Sequence, residues 1–166
     1  GIIYAVDEGA KVINLSLGGY AYSFMLKGAV DYAFEKGCIV VAAGGNDGIE
    51  QAIYPAVYPD VIGVAALDYN EQIWCDSTNG KHIDVSAPGV NILSTGLNGS
   101  YVYASGTSTS SAMVSALAAM LKSEKNEDIF IAWWRKNGAK NGDMVEVKII
   151  KRWGKNPEGV IKRIID

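Results

Sequence analysis

The chain has 166 residues, 49% of them hydrophobic and 20% charged, a composition that suits one ordinary globular domain. No apolar run approaches the roughly 20 residues that span a bilayer, no basic-then-apolar opening resembles a secretory leader, and the two cysteines, Cys38 and Cys75, are too few for a disulfide framework or a zinc ribbon. Through Leu121, four lysines stand against 11 acidic residues, a balance of −7; from Lys122 onward, 11 basic residues stand against seven acidic ones, a balance of +4. Acids are interspersed throughout that basic tail, which reads as a solvated face rather than a nucleic-acid surface.

Residues 1–9 read as a helix, with Ile2, Ile3, Ala5 and Val6 on one side. Residues 11–17 form an apolar strand bounded by Gly18-Gly19. Helical spacing returns over 21–36 through Phe24, Met25, Ala29, Tyr32 and Ala33, and Gly37 sits where a helix C-cap belongs. Residues 38–43 are continuously apolar and β-branched, as a strand buried on both faces requires. They end in Gly44-Gly45-Asn46-Asp47-Gly48, a loop signal. A second buried-type strand spans 61–66, and shorter strands are predicted at 83–85, 92–95 and 101–104. Residues 108–122 form an Ala- and Ser-rich helix. This alternation predicts an α/β fold, a mostly parallel sheet flanked by helices. Beyond Lys122 the character changes: 124–128 are polar, 129–134 are apolar with two tryptophans, and 144–150 alternate like a half-exposed strand. Asn156-Pro157-Glu158-Gly159 then breaks the pattern.

Gly106-Thr107-Ser108-Thr109-Ser110-Ser111 opens that helix. A serine there meets free backbone N–H groups and the positive end of the helix dipole, which favour an oxyanion. Small neighbours let a substrate backbone approach. An acyl-transfer nucleophile needs these conditions. Ser and Thr are equally the preferred N-caps, so this stretch alone leaves both readings open.

Four further segments precede it in order: Val12-Ile13-Asn14-Leu15-Ser16-Leu17-Gly18-Gly19, the run Val40 to Gly48, Tyr54-Pro55-Ala56-Val57-Tyr58-Pro59, and Asp84-Val85-Ser86-Ala87-Pro88-Gly89. All five in register resemble the subtilase family of serine proteases over residues 1–121, with 122–166 a divergent extension or the closing helices of the domain. The resemblance implies a subtilisin-like fold that is incomplete at its N-terminal side. It implies that Ser108 is the nucleophile and that Asn46 is the oxyanion-hole donor, with the Ser108 N–H as its partner. It places Ser16, Leu17 and Gly18 on the edge that pairs with extended substrate, and Ala43, Gly44 and Gly45 on a wall of the pocket for the residue before the scissile bond. Asp47 falls near that pocket's rim, where a carboxylate favours basic side chains. Ile53 falls where the family commonly keeps a glycine at the pocket floor, and should make the pocket shallow. The carbonyls of Ala56, Tyr58 and Val61, with Asp84, match a weak calcium or sodium site of some members; no cofactor is required. The Tyr54-Pro55 segment often carries a cis proline. Polypeptide is the implied substrate, with neither nucleic acid nor membrane as partner, and secretion is typical of what the chain resembles.

In the family the triad runs Asp, His, Ser. The aspartate and histidine segments are absent from this sequence, and the single histidine, His82, does not match the base. The chain alone is therefore expected to be inactive or nearly so, with Asp and His supplied by an upstream segment or a separate chain. Thr109, Ser110, Ala112 and Met113 also depart from the usual Met-Ala-(Ser/Thr)-Pro-His run. These departures motivate a rival reading, a non-catalytic pseudoprotease that binds extended peptide or a partner protein. A nucleotide-binding reading fails on spacing, because neither glycine loop fits G-x-G-x-x-G or a P-loop.

Overall fold

A computed structural model of the chain describes residues 1–123, 145–151 and 158–164. Two compact units divide it, residues 1–123 and residues 124–166.

In the first unit, helix α1 (Ile2–Asp7) leads into strand β1 (Val12–Leu15), helix α2 (Phe24–Glu35), strand β2 (Ile39–Ala43) and strand β3 (Val61–Leu67). Strand β4 (Val85–Pro88), the hairpin β5 (Ile92–Thr95) with β6 (Tyr101–Ala104), and helix α3 (Thr107–Ser123) complete it. Strands β1-β2-β3-β4 lie in that order in one sheet, and every pairing is parallel. The α/β architecture with a parallel sheet between helices is as the sequence pattern requires.

Parallel neighbours need a crossover. Only β1 to β2 uses a helix. Ser23 caps α2 by accepting from Leu26 N–H at 3.2 Å. At its other end Gly37 N–H donates to Phe34 and Cys38 N–H to Ala33, the Schellman pattern, with Gly37 at φ +71. The other two crossovers are the long loops 44–60 and 68–84, and the first carries much of the candidate site.

Period-2 alternation sorts the core onto the two sheet faces. Val40 and Ala42 of β2 point to one face, packing with Val6, Ile13, Leu15, Val30 and Ala33. Val41 points to the other with Val64 and Ala87, where Val114 of α3 covers them. Helix α3 lies against all four strands of the sheet.

The fourth strand departs from expectation. It was predicted at 83–85 and runs Val85–Pro88. Ile83 N–H closes a turn onto Gly80 at 3.1 Å, and the Asp84 side chain accepts from Gly63 N–H at 2.8 Å, so the ladder starts two residues later than predicted, with Val64 opposite Val85. The second unit contains an antiparallel pair, β7 (Val145–Lys151) and β8 (Glu158–Ile164). The first was anticipated. The second was not, because Glu158-Gly159 reads as a breaker but opens a strand. The apolar stretch 129–134 lies outside the described residues. Among the described residues, no helix is long and apolar enough to cross a membrane.

Candidate active site

A cleft of about 330 Å³ lies between the end of β1, the loop after β2 and the start of α3. Ser16, Leu17, Gly18, Gly19 and Tyr20 form one side; Ala43, Gly45, Asn46 and Asp47 form the other; Ile53, Thr107 and Ser108 complete it.

Ser108 is half-buried at the second position of α3. Among the described residues neither its Oγ nor its N–H has a hydrogen-bond partner. Its carbonyl is held, accepting from Ser16 Oγ and Ser111 Oγ at 3.0 Å each. The nucleophile candidate is thus anchored by its backbone while its hydroxyl faces the cleft.

Asn46 is oriented by its neighbour. Its Oδ1 accepts from the N–H and the Oγ1–H of Thr107, both at 2.9 Å. Thr107 is fully buried, and its Oγ1 in turn accepts from Gly45 N–H at 3.1 Å. Only an oxygen can accept those two bonds, so the amide NH2 must face away from Thr107. It comes to lie beside Gly106, where a Cβ would sit 3.3 Å from Nδ2. Gly106 has φ +150, a conformation closed to other residues, and that backbone delivers Ser108 next to Asn46. The NH2 and the Ser108 N–H, both free among the described residues, are two donors beside one helix N-terminus, the arrangement that stabilises an oxyanion.

Thr107 was legible only as part of the motif; its orienting role was missed. A hydroxyl ladder behind the site was missed as well. Ser115 Oγ donates to Asn14 Oδ1 at 3.0 Å, Asn14 Nδ2 donates to Ser16 Oγ at 2.8 Å, and Ser16 Oγ lies 3.2 Å from Ser111 Oγ. Ser110, fully buried, donates to the Ala87 carbonyl at 2.9 Å. Ser110, which departs from the family run, is therefore satisfied and ties α3 to β4, while Ser115 ties it to Asn14 of β1.

Ile53 is 3% exposed and wedges between the two walls. A Cβ on Gly18 would meet its Cγ2 at 2.5 Å, and one on Gly45 its Cγ1 at 2.8 Å. Leu17 and Gly18 make no backbone hydrogen bonds among the described residues, while Gly19 exchanges two with Tyr54 at 2.9 and 2.8 Å. Tyr54-Pro55 is a cis bond.

Gly44 does not reach the cleft as expected. Its N–H continues the β2 ladder onto Val64 at 2.9 Å, and its Cα faces Ile83, so it belongs to the sheet. His82 also lies elsewhere. Its Nε2 is 3.5 Å from the Gly44 carbonyl, and it lines a separate hollow with Glu50, Gln51 and Lys81. At the expected cation site, Ala56, Tyr58 and Val61 are buried, the Tyr58 carbonyl accepts from Val61 N–H at 3.3 Å, and Asp84 is bonded to Gly63 N–H. One carboxylate and a few carbonyls suit at most a weakly held ion, since calcium takes six to eight oxygens. Among the described residues, no group of three or more His, Cys, Asp or Glu clusters for a metal.

Comparison with known proteins accords with this geometry. Residues 1–153 match the subtilase family. A thermophilic serine proteinase of a Bacillus species is 48% identical over 130 residues, covering 78% of this chain and 32% of that protein. Thermitase of Thermoactinomyces vulgaris is 47% identical over 124 residues, covering 75% of this chain and 44% of its own length. The structure of the prenylagaramide maturation protease PagA superposes with a TM-score of 0.70 at 35% identity, over 74% of this chain and 47% of the other. The chain thus spans less than half the length of these relatives. With a free serine hydroxyl and two oriented donors at one helix start, and the family's sequence across most of its length, the chain belongs to the subtilase family of serine proteases.

Proposed function

We propose that this chain is the nucleophile-bearing part of a subtilisin-like serine endopeptidase that cleaves peptide bonds through an acyl-enzyme on Ser108. The observation that carries the reading is the pairing of Ser108 Oγ with two donors, Asn46 Nδ2 and Ser108 N–H, all three unbonded among the described residues. Extended substrate pairs with the free backbone groups of Leu17 and Gly18, which places the scissile carbonyl over Ser108. Ser108 Oγ attacks that carbonyl carbon and gives its proton to a base. The carbonyl oxygen gains negative charge between the two donors. Collapse expels the amine, which takes a proton from the conjugate acid, and water reverses the sequence.

The base and the carboxylate that orients it come from polypeptide outside these 166 residues. The one histidine of the sequence lines another hollow, which supports this. An apolar groove of about 520 Å³ beside α1 and α2, lined by Ile2, Ile3, Ile13, Leu15, Met25 and Leu26, offers that polypeptide a seat. Met25 is 88% exposed there, and Phe24 beside it 85%. Residues 122–166, of which 122–153 fall within the family match, are the divergent end of the catalytic part. The reaction needs no cofactor; a cation weakly held by Asp84 and nearby carbonyls would serve stability alone. Secretion is the compartment we assign to the intact protein, on the family resemblance.

Ile53 makes the pocket before the scissile bond shallow, so small residues are preferred there. The test is peptidase activity of the full-length protein with Ser108→Ala and Asn46→Ala. Ser108→Ala should abolish turnover. Asn46→Ala should lower kcat by about 10²–10³, the figure for one oxyanion-hole donor measured on subtilisin itself. Turnover that survives Ser108→Ala sinks the assignment, and peptide binding without any turnover would instead establish the pseudoprotease reading.

A further inference from the structure

Tyr20 and Asp47 stand on opposite sides of the cleft, and the Tyr20 hydroxyl donates to Asp47 Oδ1 at 3.1 Å. Among the described residues, no other that lines the cleft carries a carboxylate, phenol, imidazole, thiol or amine. Both ends rest on fixed backbone. Gly19, before Tyr20, exchanges two hydrogen bonds with Tyr54. Asp47 N–H donates to Oγ1 of the fully buried Thr78 at 3.1 Å. The span is therefore set by the fold, while the tyrosine ring itself is 61% exposed and free to swing away.

We infer that Tyr20 is a specificity-determining residue: its hydroxyl bridges the cleft mouth to Asp47 and competes with an incoming basic side chain for that carboxylate. The inference rests on the proposed peptide-binding role of the cleft and deepens it. A carboxylate at this rim would by itself favour Lys or Arg. With Oδ1 engaged by a neutral donor that stands across the cleft mouth, a basic side chain must share the carboxylate with the phenol or displace it, and either weakens the ion pair it gains. A small uncharged side chain enters under the bridge without disturbing it. The hydrogen bond to Asp47, followed by its charge and by burial, holds the phenol above its usual pKa, so Tyr20 remains a donor throughout the neutral range.

The experiment uses the full-length protein and fluorescein-labelled product peptides that differ only in their last residue, Lys or Ala, with Kd read by anisotropy. Tyr20→Phe keeps the ring and removes the donor. It should tighten the Lys peptide relative to the Ala peptide by about fivefold, the upper reach of an exposed ion pair. In an Asp47→Asn background the same substitution should change the ratio by nothing measurable. An unchanged ratio in a Tyr20→Phe protein that melts like the wild type overturns the inference, as does a gain that persists in Asp47→Asn. Cleavage of matching internally quenched peptides reports on the hydrolase assignment separately. A shifted Kd ratio without turnover leaves the bridge and refutes the peptidase; turnover with an unshifted ratio does the reverse.

Discussion

Ile53 offers the sharpest quantitative handle on the site. It fills the space between Gly18 and Gly45, and it is almost wholly buried. Ile53→Ala removes three carbons, which at about 0.8 kcal/mol each amounts to roughly 2.4 kcal/mol of lost burial. A sealed cavity would add to that, giving the usual range of about 2–5 kcal/mol. Here the vacated space opens onto the cleft and admits water, so a loss near the bottom of that range is expected. The same space becomes available to substrate. A leucine or phenylalanine before the scissile bond recovers about 2 kcal/mol of apolar contact, which is roughly a 30-fold rise in kcat/KM relative to alanine. Ile53→Val should give only a few-fold rise. The assay compares internally quenched peptides with Ala, Leu or Phe at that position, on full-length protein, alongside a denaturant melt. If Ile53→Ala folds cooperatively and the Phe-to-Ala ratio stays at the wild-type value, Ile53 is not the pocket floor.

Two other consequences are independent of substrate choice. Ser16→Ala removes the hydroxyl at the middle of the ladder, and at this exposed position it should cost about 1 kcal/mol, visible as a lower denaturation midpoint, with Ser111→Ala not simply additive on top because the two share an acceptor, the Ser108 carbonyl. Cys38 is buried, and burial raises its thiol pKa against the opposing pull of Lys122 and Lys11, so in the native protein a thiol reagent should modify Cys75 promptly and Cys38 only on unfolding. A thiol pKa that is raised in the folded state contributes stability fully present below its ordinary value and lost as pH climbs through the folded value. Stability should therefore fall on the alkaline side, and Cys38→Ala should flatten that slope.

The parts of this molecule that are local in sequence were legible before any coordinates. Residues 38–43 and 61–66 announce themselves as strands buried on both faces because the apolar run is unbroken and rich in β-branched residues. The loop 44–48 and the start of α3 carry the site because glycines and an asparagine follow a buried strand there. What escaped notice depends on distance along the chain. Tyr20 finds Asp47 across 27 positions, and Ser115 finds Asn14 across 101, and no spacing rule links either pair. Thr107 looks like a helix cap in sequence and becomes the residue that orients Asn46 only once the two loops meet. The family resemblance puts Gly44 on the pocket wall with Ala43 and Gly45, but just past β2 its N–H still bonds Val64 and its open side faces Ile83, away from the cleft. Strand β4 began late because Asp84 spends its side chain on Gly63.

The central claim is that Ser108 is an activated nucleophile once the missing base is in place. It is tested most directly by treating the full-length protein with a fluorophosphonate probe, mapping the adduct by peptide mass spectrometry, and repeating the reaction on residues 1–166 alone. The account predicts stoichiometric labelling at Ser108 in the full-length protein and little or none in the 166-residue chain. No adduct on a folded full-length protein, or an adduct on a residue other than Ser108, would contradict it.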